Sequence, residues 1–385
     1  MSKESQRPYI GGQAVIEGVM MRSPGSMSIV CRRRNGELVV RERPMLDKPS
    51  GTRTWPFFRG IATVVESLRL GSRALRWSAE LYEEDLREEE ERGNPPPKPP
   101  SINAMLALSI AALATQPDED PAEKQAEVKP SPAPPLPAPA PAADDKKTGV
   151  FGFLPIVFAV VLFVALPQAG ANGINKLFNL GLEITSPGFQ VITGIAKLTI
   201  VVGYMLLIRR MGEVRRVFQY HGAEHKTIST YEAGKELLVE NARPMTTAHP
   251  RCGTTFLVMV ALVSIVIFSV AGAFFPKIPG NALVQNVGFF LMKLPFLPLV
   301  AAITYEIQRI FARYCTTGPL RALLWPGFLV QKITTAEPDD DQLEVALASL
   351  RATLWREAAL TAPAPADRTF SGYGELVADP GYARG

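Results

Sequence analysis

Residues 254–275 read TTFLVMVALVSIVIFSVAGAFF, and this stretch decides the fold class. It carries no charge. About 20 helical residues, at 1.5 Å each, cross a hydrocarbon core of ~30 Å. A helix buried in a soluble core rarely runs so long without a charged residue. Directly before it stands Ala248-His249-Pro250-Arg251-Cys252-Gly253, so a membrane element abuts residues with ligand chemistry.

Working outward, three further stretches have spanning length: 150–171, 189–208 and 283–305. Lys/Arg counts in the segments between them set the orientation. Residues 1–149 hold 21, 172–188 one, 209–253 eight, 276–282 one, and 309–385 eight. Basic and poor segments alternate as four spans require, which places both termini and the central loop in the cytoplasm and the chain in the plasma membrane. Lys197 and Lys293 interrupt two of the spans. A charge at that depth snorkels to the interface or faces a protein interior. Pro295 and Pro298 predict a kink in the fourth span.

The composition agrees. Of 385 residues, 47% are hydrophobic and 20% charged, with a net charge of +4. That charge is too small for a dedicated nucleic-acid binder, and the lipid bilayer is the expected partner. Long apolar runs beside a Pro-rich segment exclude a single soluble domain. Cys31, Cys252 and Cys315 are too few and scattered for a disulfide framework. The expectation is therefore a mainly α, polytopic membrane protein with about four transmembrane helices, a small N-terminal α+β cytoplasmic domain and a C-terminal amphipathic helix. Its divisions are 1–94, 95–148, 149–308 with the loop 209–253, and 309–385.

In the soluble parts, Asn35-Gly36 joins two β-branched runs within 27–43, a strong hairpin signal. Arg32–Arg34 beside it reach lipid headgroups or end a solvated strand. Ile61, Val65, Leu68, Leu75, Ala79, Tyr82 and Leu86 predict a helix on the membrane or on the hairpin. Glu88–Glu91 read as its solvated end. Residues 95–141 hold 14 of the 34 prolines and read as an extended linker. The short apolar stretch 102–115 within it reads as interfacial or packed on the cytoplasmic domain. The glycines of Gly11-Gly12-Gln13-Ala14-Val15-Ile16-Glu17-Gly18 read as a tight turn, with Glu17 and Arg22 able to face the loop 209–253. Leu343, Leu347, Leu350 and Leu354 predict one apolar stripe on a docking helix led by Asp339–Asp341. Residues 361–385 read as disordered.

All three histidines fall in the basic loop, as His221, His225 and His249. The segment 209–231 reads as a helix continuing the second span, which puts His221 and His225 one turn apart on one face. That spacing lets two imidazoles share a metal. His221-x-x-Glu224-His225 fits the H-x-x-E-H pattern, in which the glutamate activates a metal-bound water. His249 and Cys252 add two more donors suited to zinc. A closed His221/His225/His249/Cys252 site and an open site with three of these donors both fit. So does a histidine group that only caps helices, or Cys252 as a nucleophile paired with His249. Glu306 stands as a distal ligand, an acid/base, or the ion-pair partner of Arg309 or Arg313.

The blocks GGQAVIEGVMMRSP, PFFRGIATVVESLRLG, YHGAEHKTISTYEAG, ENARPMTTAHPRCGTTF, ITYEIQRI and PGFLVQKITTAEPDDDQLEVALASL together resemble the YqhQ-like bacterial membrane family, which has plastid relatives. That family is catalogued as domain of unknown function 1385. The resemblance implies a metal-dependent membrane enzyme without a settled substrate, its metal motif falling on His221, Glu224, His225, His249 and Cys252. Two functions follow. One is a metal-dependent hydrolase of a lipid, membrane peptide or amphiphile, with zinc on the histidines and Glu224 as general base. The other is a non-catalytic scaffold or assembly factor with a structural metal or none. A transporter is a weaker third, prompted by Lys197 and the broken span.

Overall fold

Alternation in 27–43 builds a hairpin. Strands β3 (Ser26–Arg32) and β4 (Leu38–Pro44) pair antiparallel from Ser26↔Pro44 to Arg32↔Leu38. Gly36 takes φ +92° in the turn, where a Cβ would be strained. The computed structural model describes residues 7–45, 55, 58–93, 161–250, 252–315, 318–360 and 365–382. The Pro-rich segment, the stretch 102–115 and residues 150–160 of the first expected span lie outside these.

The glycine-rich segment at the N-terminus is more than a turn. It forms β1 (Gly11–Val15) and β2 (Gly18–Arg22), joined by Ile16-Glu17 with Glu17 at φ +51°. These strands show no polar–apolar alternation because both of their faces are buried. A fifth strand, β5 (Arg368–Phe370), pairs with β4 and closes a meander of order β1-β2-β3-β4-β5. The expected disorder over 361–385 is thereby corrected for 365–382. Phe370 and Tyr382 are buried, and the Tyr382 hydroxyl donates to the Glu42 carboxylate. Two aromatic anchors in a short polar tail outweigh its composition.

The sheet is covered on both sides, following the two-residue period of its strands. Val19, Met21, Val30, Leu38 and Val40 face α10 (Asp340–Ala358). Val15, Met20, Ile29, Cys31 and Val39 face Ala74 and Trp77 of α1 (Phe58–Glu91). The acidic start of α10 forms a capping box between Asp339 and Gln342. Its leucines are buried as expected, but so are Ala346, Ser349, Arg351 and Thr353, so the helix is a central core element rather than an amphipathic one. Small and hydroxyl side chains let the sheet approach. The Ser28 hydroxyl lies 2.6 Å from both the Ser349 carbonyl and the Thr353 hydroxyl. Arg351 donates to the carbonyls of Leu237 and Tyr382.

On α1 the buried stripe is mostly small (Gly60, Thr63, Ser67, Gly71, Ala74 and Ser78), with Trp77 and Asp85 its larger members, while Val65 is exposed and Ile61 and Leu68 half-buried. Arg33 binds Asp85 (2.6 Å) and Glu88 (2.9 Å), Arg34 binds Glu89 (3.0 Å), and Arg32 binds Glu344 (2.6 Å). The three arginines thus hold the acidic end of α1 and the start of α10.

Three helices among the described residues are long and apolar enough to cross a membrane: Pro187–Ile208, Gly253–Phe274 and Val284–Phe311, with mean hydropathy 2.1, 2.7 and 1.9. The first is α3 and the second contains α6 (Gly253–Ala271). The third is broken at Leu294–Phe296 into α7 (Ala282–Lys293) and α8 (Leu297–Tyr314), as its prolines predict. The described part of the stretch 150–171 leads into α2 (Leu166–Leu177), which packs on α3. Lys293 Nζ donates to Gln190 Oε1 (2.9 Å) and lies over the rings of Phe289 (4.6 Å) and Phe268 (5.0 Å). Lys197 stands midway along α3, half-buried, with no hydrogen bond among the described residues.

Glu306 near the end of α8 accepts a two-pronged bond from Arg59, at 2.7 and 2.6 Å, while Arg309 lies 4.0 Å away. It clamps α1 to the third candidate span and is not one of the donors grouped with the histidines. Arg59→Met should destabilise the detergent-solubilised protein by about 1.5–3 kcal/mol in thermal unfolding, the range of a charge-assisted pair. Arg309→Met should be nearly silent.

Candidate metal centre

The chain leaves α3 at Ile208, and α4 begins at Gly212 and runs to Glu232. The expected continuous helix is broken at Met211, whose ψ of 129° is extended. The break turns the polar α4 away from the apolar axis of α3 and lays it on β1 and α10. His221, Glu224 and His225 are all buried on α4.

Cys252 is the N-cap of α6, and its Sγ accepts from the Thr254 amide at 3.4 Å. That position sets its sulfur at the positive end of the helix dipole, beside the first N–H groups of α6. The Sγ lies 3.3 Å from His221 Nε2. His221 Nδ1 pairs with the Thr334 carbonyl at 3.0 Å, and His225 Nδ1 with the Thr247 carbonyl. Each Nδ1 therefore carries the proton, and each Nε2 keeps its lone pair for a ligand role. One donor atom from each of His221, His225 and Cys252 lies within 4.8 Å of the others, which is close enough for a single ion. Two imidazoles and a thiolate form a donor set suited to zinc.

Burial disfavours charge on these rings. It lowers His221 and His249 to about 4 from 6.5, and lowers His225 further, with its histidine neighbours adding to the effect. The imidazoles are thus neutral and able to bind metal at physiological pH.

The other expected residues stand outside this three-donor group. The His249 ring centroid is 5.7 Å from that of His225, but its Nε2 is turned to Glu232 at 3.4 Å. Cys252 accordingly meets His221 rather than His249. Glu224 extends towards β1, where a Cβ built on Gly12 would stand 2.8 Å from its carboxyl atoms. Its Oε2 is buried without a partner, and burial raises its pKa to about 8. Glu17 reaches α4 through Arg216 and, at 3.2 Å, Tyr220.

Several supporting residues carry no sequence signature of a site. Gln331 on α9 (Trp325–Thr334) clamps the His249 backbone, accepting from its N–H (2.9 Å) and donating to its carbonyl (2.7 Å). Gly222 lets the strap 334–338 lie on α4, since a Cβ there would stand 2.1 Å from the Ala336 carbonyl oxygen. Lys226 fixes the strap's far end through Glu337 and donates at 2.6 Å to the carbonyl of Arg243, just past the short helix α5 (Val239–Ala242). The only hint is that these residues fall in the blocks YHGAEHK and PGFLVQKITTAEP.

Over 360 residues the chain is 27% identical to the "Uncharacterized protein YqhQ" of Bacillus subtilis (strain 168), covering 93% of this chain and 96% of that relative. No solved structure matches it. A family model described as "Protein of unknown function (DUF1385)" matches residues 55–356. The chain with the His221/His225/Cys252 group therefore belongs to the DUF1385 family.

Proposed function

We propose that this is a metal-binding membrane protein in which one divalent ion, zinc by donor chemistry, joins α4 to the start of the membrane helix α6. The observation that carries the reading is the convergence of His221, His225 and Cys252, with both Nδ1 atoms turned away onto carbonyls. All three donors are at most 5% exposed, as suits a structural ion. His249 is available as a fourth ligand after a ring rotation. The alternation of Lys/Arg favours four spans in a plasma membrane, with the metal group and both termini on the cytoplasmic side.

A ligand that binds only the folded state stabilises it by RT ln(1 + [L]/Kd), about 4 kcal/mol at a thousandfold excess over Kd. Adding zinc to chelator-stripped protein should raise the unfolding temperature by several degrees, and His221→Ala should abolish that rise. An equal rise in the variant sinks the proposal.

A second reading is a metal-dependent hydrolase of a lipid, membrane peptide or amphiphile. It is favoured by the three-donor group, which leaves one coordination position, and by the buried, unpartnered Oε2 of Glu224, the residue before His225 on α4. Bound there, zinc would supply Lewis acidity. Glu224 would hold and pass a proton. On this reading Glu224→Gln loses ester or amide hydrolysis and keeps its metal. Unchanged turnover in the variant removes Glu224 from any such role.

A further inference from the structure

The outward face of α1 changes character along its length. Phe58 and Val65, seven residues apart and so on one face, are 59% and 58% exposed. The same face then presents Arg69, Arg73 and Arg76, all exposed and without an ion pair among the described residues. Beyond them it presents exposed Glu80, Glu83 and Glu90. The order is apolar, basic, acidic, with zones about 10, 10 and 15 Å long at 1.5 Å per residue.

The start of this helix is fixed to the membrane helices. Arg59 clamps Glu306, and Gly60 lies against Tyr305, where an added Cβ would stand 3.0 Å from the tyrosine side chain. Both partners sit on α8 in the last turns of a candidate span, at the end from which the chain runs on through α9 to α10 under the sheet. Phe58 and Val65 are therefore held beside the hydrocarbon boundary, and the arginines beside the headgroup layer.

We propose that this face of α1 is a docking surface for an anionic lipid leaflet. Phe58 and Val65 enter the acyl boundary. Arg69, Arg73 and Arg76 engage lipid phosphates, each guanidinium being a fork matched to two phosphate oxygens. The acidic third of the helix is repelled by the same phosphates, which sets the angle at which α1 leaves the surface. The attraction is electrostatic and local, so it depends on leaflet charge.

The test uses the full-length chain in nanodiscs with an environment-sensitive fluorophore on Val65→Cys, and separately on Glu83→Cys. The three native cysteines are buried, which directs the label to the added thiol. With 30% phosphatidylglycerol, nitroxide-bearing lipids should quench the label at position 65 severalfold more than at 83. Pure phosphatidylcholine, or Arg69→Gln/Arg73→Gln/Arg76→Gln, should cut the quenching at 65 at least twofold. Equal quenching in both lipids and in the triple variant overturns the phosphate recognition. A label at 65 that only aqueous iodide quenches, or that neither quencher reaches, overturns the membrane contact; the latter would assign the face to a protein.

Discussion

Gly222→Ala should weaken metal binding at least tenfold without altering a ligand. The new Cβ would stand 2.1 Å from the Ala336 carbonyl oxygen, a backbone atom that cannot swing aside as a side chain can. The strap 334–338 must lift. Its Thr334 carbonyl then leaves His221 Nδ1, and the Ala336 amide loses the Phe218 carbonyl at 2.9 Å. Overpacking alone costs about 1–3 kcal/mol, and the lost hydrogen bonds add about 1 kcal/mol each. The expected result is a fall of about 3 kcal/mol in stability and at least tenfold weaker zinc binding, measured by thermal unfolding and competition with a zinc dye. Gly212→Ala is the control, because its Cβ would meet open space. Wild-type zinc affinity in Gly222→Ala would show that the strap does not orient His221.

Glu224→Gln should stabilise the metal-stripped protein, and increasingly so as pH rises. Burial raises the Glu224 pKa in the fold to about 8, against 4.5 for the free group. The folded state therefore holds the proton more tightly, and wild-type stability is lost as pH rises from 4.5 towards 8. Glutamine matches the protonated acid in shape and does not ionise. At about 1.4 kcal/mol per unit, the difference between variant and wild type should widen by about 3 kcal/mol from pH 4.5 to pH 7. The histidines act in the opposite sense, since their lowered values weaken the fold as pH falls from 6.5 towards 4. They are common to both proteins and cancel in the difference. A pH-independent difference would mean that Glu224 is ionised in the fold, with a cation beside it.

Much of this was legible where a segment answers to one physical demand. The uncharged run at 254–275 meets the length and composition of a membrane span, and the Asn35-Gly36 turn the geometry of a hairpin. The prolines at 295 and 298 remove backbone donors wherever they sit, and the helix breaks there. Where two demands compete, the pattern misleads. In α10 small and hydroxyl residues read as a solvent face, yet they hydrogen-bond into the sheet. In α1 Ile61, Val65 and Leu68 read as the buried stripe, but small residues take the packed side, Gly60 against Tyr305 and Gly71 against Gln13, with Trp77 beside Ala74 on the sheet.

The site was legible in part for the same reason. His221 and His225 share a helix face by local periodicity, and Cys252 follows from its place at the head of α6. Glu224 belongs to the same motif, but its carboxyl turns to Gly12, because β1 leaves that space open. The Thr334 and Thr247 carbonyls that set the tautomers are backbone groups, which no residue type announces.

The most direct test of the metal centre is the metal content of the detergent-purified, full-length protein by elemental mass spectrometry, read beside His221→Ala/His225→Ala. The account predicts about one equivalent of zinc in the wild type, near none in the double variant, and a sharp reduction in Cys252→Ser. No bound metal in the wild type after zinc reconstitution, or undiminished metal in the double variant, would contradict it.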